Sequence, residues 1–525
     1  MQGFFVAGPF DDGDPVTGHY YEMASDDPAR PQVWGYTAAL SYKPGDTLRL
    51  HAMSSATAAR LTITRDGLSP QTVLQTTIST RFAATPANCS VTGCGWPVAF
   101  ESVIPLDWPT GVYAYTLALD GHESRGMFVL KPARPTAKLA IVLATGTWCA
   151  YNDWGGSNHY QGLTGPSGRD FAGEVSLLRP WAKGFVRWPG DAPRIPHASP
   201  LLTRPRYPHM DYARANGVSK KYASSGWAAF ERPFALWCEA QGITLDYFTQ
   251  HDLHADPAVL NGHARAVIVG HDEYWTWEMR DHLDAWLDKG GQLARFGGNF
   301  FWQTRLSADL TRQTCYKTRA EAEDPMGATA RLTSYWDHPR AGRPAVATMG
   351  LTGSMGVYAG WSRCAAHGSG GFTVYRPDHW SLKGTGLGYG DVLGATSKIF
   401  AYEVDGIDYE TRKGLPYPAE GTGLEGDLTI VSLSLATTLA HHTGPQDEDP
   451  FIGTLDAEEV ALTKYGALTP ETLGLASRGN GCMADYRRGS GAVFNAGSCE
   501  WVAGLIAREI PVEMVTRNVL LGDWG

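Results

Sequence analysis

The sequence predicts an α/β protein: a doubly wound, mostly parallel sheet of the glutamine-amidotransferase kind, preceded by an all-β, immunoglobulin-like sandwich. Short strands alternating apolar and polar residues fill the first part of the chain. From Lys138 onward, continuous apolar runs alternate with segments patterned as helices. Polar residues gather just after several of those runs, where open α/β sheets bind their ligands.

In the first part, Thr47 to Met53, Arg60 to Arg65 and Gly111 to Leu119 alternate in period two. Turn residues punctuate them, as in Lys43-Pro44-Gly45-Asp46 and Asp120-Gly121. Short strands so spaced read as a sandwich over residues 1–132. Lys131-Pro132-Ala133-Arg134-Pro135 reads as a stiff connector. An α/β catalytic domain is expected over 138–525, with an irregular insertion around 314–402. Leu139 to Ala144 is its first strand, followed by a polar, Gly-rich loop from Thr145 to Arg169. Thr244 to Phe248, Ala264 to Val269, Gln292 to Phe296, Leu428 to Leu435 and Gly491 to Ala496 read as further strands. Trp227 to Gln241, Trp275 to Lys289 and Trp501 to Arg508 carry helical spacing.

Composition narrows the function classes. A net charge of −10, with no Lys/Arg-rich run, argues against a nucleic-acid partner. No apolar run reaches the length of a membrane span and the first residues carry no secretory pattern, so a cytoplasmic protein is expected. Eight cysteines are scattered along the chain; Cys89 and Cys94 are spaced to pair or share a metal, but no second close pair completes a zinc set. Reduced thiols are the expected state.

Three loops after three expected parallel strands mark a pocket. Trp148 to Ser157 offers Tyr151 and Asn152 beside the pair Gly155-Gly156. His271-Asp272-Glu273-Tyr274 precedes a helix, with Asp272 placed to cap it. Gly297-Gly298-Asn299-Phe300-Phe301-Trp302 follows the next strand. Thr314-Cys315-Tyr316-Lys317 is a fourth polar group. There is no nucleophile elbow, His-Glu-x-x-His run, phosphate loop or Gly-x-Gly-x-x-Gly after the first strand. Serine hydrolase, zinc protease and nucleotide-binding readings weaken accordingly, and tyrosine and carboxylate stand out as the unusual candidates.

Taken together, Trp148-Cys149-Ala150-Tyr151-Asn152-Asp153-Trp154-Gly155-Gly156, His271 to Trp275, Gly297-Gly298-Asn299 and Cys315-Tyr316-Lys317 with Asp324-Pro325 resemble the large subunit of N,N-dimethylformamidase. Gly93 to Pro97, Trp108 to Tyr113 and Val493 to Ser498 extend the resemblance from about Tyr36 to Leu521. It implies a mononuclear Fe(III) held by two tyrosines and a glutamate, here Tyr274, Tyr316 and Glu403. Phenolate and carboxylate are hard anionic donors suited to ferric iron, and the metal would ionise phenols whose free pKa is about 10. Ala401 offers no side chain to a metal-bound water, and Glu403 could equally pair with Lys317 or an arginine.

The implied activity is hydrolysis of the C–N bond of a small amide. Glu273, ahead of His271 and Lys317, is the expected proton shuttle. Asn152 and Asn299 are the expected oxyanion donors. Tyr151, Trp154, Trp275, Phe301 and Trp302 would line the pocket. Family members of known activity carry an additional N-terminal portion and work with a small partner subunit. This chain begins almost directly with the sandwich, so a homo-oligomer without that subunit is expected. Rival readings are an iron–tyrosinate enzyme with another reaction, such as oxygenation, and a non-catalytic ligand-binding protein.

Overall fold

A computed structural model describes residues 4–8, 11–15, 18–163, 171–194, 208–355, 370–437, 455–476 and 478–524. The chain divides into two compact units. Unit 1 comprises 1–194, 209–255 and 305–315, and unit 2 comprises 195–208, 256–304 and 316–525.

Unit 1 begins with two facing sheets. Strands β1 (Val33–Thr37), β2 (Ser41–Tyr42), β3 (Thr47–Ser54), β4 (Ala58–Arg65), β5 (Gln71–Ser79), β6 (Val98–Val103), β7 (Gly111–Leu119) and β8 (His122–Leu130) form a five-stranded sheet, β2-β8-β7-β4-β5, and a three-stranded one, β1-β3-β6. Their alternation sends Leu48, Leu50, Leu61, Ile63, Tyr115, Leu117, Phe128 and Leu130 into one shared core. Each such side chain contributes about 1.5–3 kcal/mol by leaving water. Unit 1 also holds the parallel pair β9 (Leu139–Leu143) and β10 (Leu245–Thr249). Between them lie helices α1 (Thr145–Tyr151) and α2 (Glu231–Ala240). Cys89 and Cys94 are free, buried thiols, hydrogen-bonded to each other. Cys364 lies outside the described residues.

Helix α1 replaces the first turns of the loop expected from Thr145. Its seven residues lack an amphipathic pattern because all of them are buried. Buried Glu231 fixes its start, accepting from Ala144 N at 3.1 Å and from Trp148 Nε1 at 3.1 Å.

Unit 2 is built on β11 (Arg265–His271), β12 (Tyr274–Thr276), helix α3 (Trp277–Leu287), β13 (Gln292–Gly298), the first three residues of β14 (Trp302–Leu306), β15 (Phe372–Val374), β16 (Val392–Leu393), β17 (Asp427–Thr437), β18 (Arg478–Arg488) and β19 (Gly491–Asn495). Helices α4 (Trp501–Ile506) and α5 (Ile510–Leu521) close the chain. The strand order is β11-β13-β19-β18-β17-β15-β16. Pairing is parallel from β11 to β19 and antiparallel from there on.

The expected doubly wound, mostly parallel sheet of the glutamine-amidotransferase kind is therefore corrected to large mixed sheets with mostly antiparallel strands, with 31% strand and 21% helix among the described residues. The reason is local. Arg488 pairs with Gly491 across a two-residue turn at Gly489-Ser490, with Gly489 at φ 55°. A loop that short joins only antiparallel neighbours, whereas a parallel crossover needs a dozen or more residues.

The helix expected from Trp275 begins two residues later. Thr276 caps it by accepting from Met279 N at 3.1 Å, and Tyr274–Thr276 instead pairs in parallel with Trp302–Thr304. Asp272 is not the cap, because its carboxylate is taken by Arg295. No helix among the described residues is long and apolar enough to cross a membrane.

Candidate functional site

Strands β11 and β13 run in parallel register to His271 opposite Gly298. The residues that follow, Glu273 on one side and Asn299 on the other, leave the same edge of the sheet. Gly298 is what lets other segments come close. A Cβ there would lie 2.5 Å from Glu403 O and 2.8 Å from Cys499 N. Through that gap Cys499 N donates to Glu403 O at 3.0 Å, while Asp405 N donates to Gly497 O at 3.0 Å.

The side chains converge on His271. Its Nε2 lies 2.6 Å from Glu403 Oε2 and 3.3 Å from Glu273 Oε2. Asn299 Nδ2 donates to Glu403 Oε2 at 2.8 Å and sits 3.3 Å from His271 Nε2. The Tyr402 ring meets the imidazole edge-on at 5.0 Å. All five residues are buried. Burial opposes the charge of His271, but Glu403 and Glu273 outweigh it and lift the imidazole to about 10. The same burial pushes Glu403 upward, so the pair retains a proton between Nε2 and Oε2 near neutral pH. Asn299 at φ 60° and Tyr402 at φ 64° hold left-handed backbone, a conformation that costs non-glycine residues of order 1–3 kcal/mol and gathers at functional sites.

Beneath this cluster lies an ion network absent from the sequence reading. Arg295, on β13 and fully buried, donates to Asp272 through Nε at 2.9 Å and Nη2 at 2.5 Å, and to Asp405 through Nη1 at 2.5 Å. Asp405 also accepts from Phe300 N at 3.2 Å. One guanidinium thus ties together the three segments that carry Glu273, Asn299 and Glu403. A charged residue inside an apolar strand was the available signal, since arginine is seldom fully buried unless paired.

His271, Glu403 and Cys499 form a cluster that can hold a metal ion, their ligand atoms all lying within 4.8 Å of one another. Burial, then the nearby carboxylates, push the Cys499 thiol far up. Two carboxylates, an imidazole and a buried Asn299 Oδ1 without a hydrogen-bond partner make a donor set that fits a hard or borderline cation.

The other expected site residues divide between the units. In unit 2, Lys317 is buried with φ 51°, its Nζ 5.5 Å from the Tyr274 ring and 5.1 Å from the Trp302 ring. That contact brings the Tyr316-Lys317 segment beside buried Tyr274. The Tyr316 ring itself packs against Ala320, Leu332 and Ala341. Glu403 is paired with His271 rather than with Lys317 or an arginine. Trp275 donates to Asp272 O at 2.7 Å and packs on Phe300, while Phe301 stacks on Tyr335 and meets Trp302 edge-on.

In unit 1, Asn152 spends its amide on backbone: Nδ2 donates to Pro180 O at 2.9 Å, and Oδ1 accepts from Ala182 N at 3.1 Å. Tyr151 donates to the Tyr160 hydroxyl at 3.0 Å. Trp154 is enclosed by Trp34 and Trp96 at 5.5 and 5.8 Å.

A family model described as N,N-dimethylformamidase beta subunit-like, C-terminal, matches residues 58–512. The chain belongs to that family. The match takes in most of the sandwich and every residue of the His271 cluster, so the dimethylformamidase-like character rests on the chain as a whole and not on one motif. Among curated proteins, none matches it in sequence.

Proposed function

We propose that this dimethylformamidase-like chain is an iron-dependent amidohydrolase that cleaves the C–N bond of a small amide. The observation that carries the reading is the buried convergence of Glu273, Asn299 and Glu403 on His271, at the ends of two parallel strands. Glu403, with Tyr274 and Tyr316 as the phenolates the family resemblance implies, would hold the metal, and the second carboxylate Glu273 faces the same imidazole. A ferric ion bound there supplies Lewis acidity toward an amide carbonyl and acidifies water.

The chain's own residues handle the proton. Glu273 lies within hydrogen-bonding reach of His271 at 3.3 Å, which suits the carboxylate to take a proton from water, beside the already protonated imidazole, as the water oxygen adds to the carbonyl carbon. The same pair returns it to the departing nitrogen as the C–N bond breaks, leaving a carboxylic acid and an amine. Asn299 is reassigned from oxyanion donor to orienting residue, because its N–H₂ is committed to Glu403. Asn152, engaged with backbone, is set aside as a donor. Trp275, Phe301 and Trp302, all buried, keep water from the cluster.

Iron content and the visible spectrum test the reading. One iron per chain with a tyrosinate-to-iron charge-transfer band, lost in Tyr274→Phe and Tyr316→Phe, supports it; an iron-bearing protein whose spectrum both variants leave intact overturns the phenolate assignment. Loss of iron in Glu403→Gln supports that ligand, and full loading in the variant removes it.

A further inference from the structure

We propose that unit 1 carries a second ligand site, a tryptophan-walled cavity that takes a planar aromatic carboxylate. The cavity measures about 390 Å³ and is walled by Trp34, Trp181 and Trp188, within the range of small-molecule sites. None of its residues belongs to the His271 cluster.

The three indoles are fixed in place. Trp34 Nε1 donates to Gln32 Oε1 at 3.2 Å, Trp188 Nε1 donates to Ala192 O at 3.0 Å, and Trp181 stacks on Phe185 at 6.1 Å. Indoles held this way add apolar lining at little ordering cost, so an apolar planar ring system is the partner they favour.

Charge selects the ligand's polar end. Three cations, Arg125, Lys183 and Arg187, line the cavity against one acid, Glu123. Arg125 is paired with Glu123 at 2.5 Å, and Lys183 reaches buried Glu22 at 3.3 Å. Arg187, exposed, has no ion pair among the described residues. A guanidinium so placed is suited to take a carboxylate through two parallel hydrogen bonds. In a chain of net charge −10, this local positive excess is against the general trend.

Ser124 supplies an independent indication. It lines the same cavity, it is buried, and its hydroxyl has no hydrogen-bond partner. Alternation along β8 puts Ser124 on the same face as His122, whose ring meets Phe4, which in turn meets Trp34 edge-on. A buried hydroxyl left unpaired costs about 1–3 kcal/mol, and a ligand oxygen in the cavity would recover it.

The test uses 1-naphthoate as probe on the full chain, read by tryptophan fluorescence and titration calorimetry. Saturable binding of one probe per chain is expected. It should weaken by about tenfold or more in Arg187→Ala and in Trp188→Ala, and for the neutral probe 1-naphthalenemethanol on the unaltered protein. Arg187 is exposed, so its variant is expected to keep the wild-type melting curve. Absence of saturable binding at millimolar probe overturns the site. Equal affinity for the neutral probe, or undiminished binding in Arg187→Ala, overturns the carboxylate assignment.

Discussion

His271 Nε2 lies 2.6 Å from Glu403 Oε2, and both side chains are sealed from solvent. The contact is held from outside by Asn299, which donates to the same carboxylate oxygen, and from below by the Arg295 network. A buried charge pair is secure only when its remaining polar atoms are also satisfied. That dependence makes the supporting residues sensitive probes of the site.

Asn299→Ala removes the hydrogen bond to Glu403 while leaving the strands in place. Turnover should fall by about 10–100-fold, the usual loss when a group that orients a metal ligand is removed. Steady-state kinetics of amine release measures it. An unchanged rate would remove Asn299 from the orienting role.

Arg295→Met leaves Asp272 and Asp405 buried without their cation. The expected loss is about 3–5 kcal/mol of stability, since breaking a buried pair strands its partner. Denaturant unfolding reads this directly, with Arg295→Lys expected to retain part of the stability.

Gly298→Ala drives a methyl group toward Glu403 O and Cys499 N, both within 3.0 Å. Displacing the 403 and 499 segments by an ångström should cost about 100-fold in rate. Gly474→Ala is the control. Gly474 lies in the helix Pro470–Ala476, and nothing stands within 4 Å of a Cβ there, so activity should be unchanged.

Acid should destabilise unit 1. His209 and His251 are buried, and burial pushes both down to about 3. The unfolded chain, with histidines near 6.5, binds more protons below that pH, so stability is lost as pH falls from 6.5 toward 3. At pH 5 each contributes a loss of about 2 kcal/mol. Buried Asp153, raised to about 6, works in the opposite direction over pH 6 to 4 and offsets part of it. Thermal melts between pH 7 and pH 5 should show a falling midpoint, flattened in His251→Gln.

The sequence was most readable where burial is complete and regular. The apolar runs Leu139 to Ala144 and Ala264 to Val269 predict strands because both faces are covered, and polar residues straight after Val269 stand out against them. β18 was not legible: Arg478–Arg488 contains glycine, asparagine and three arginines, and it is a strand because β17 and β19 flank it. Missing that strand is what made the sheet read as parallel. At the site, the Gly298-Asn299 and His271-Asp272-Glu273-Tyr274 groups were visible, yet Asp272 meets Arg295 across 23 residues, and the roles of Asp405 and Cys499 depend on contacts with Arg295 and His271 more than a hundred residues away.

Metal-dependent amide hydrolysis at the His271–Glu403 cluster, as proposed, ties activity to iron content. The most direct measurement is amine release from N,N-dimethylformamide and a set of small amides, before chelation, after it and after iron is restored. Turnover that disappears with the metal and returns with iron is the expected result. Turnover persisting in metal-free protein, or none from iron-loaded protein on any small amide, would contradict it.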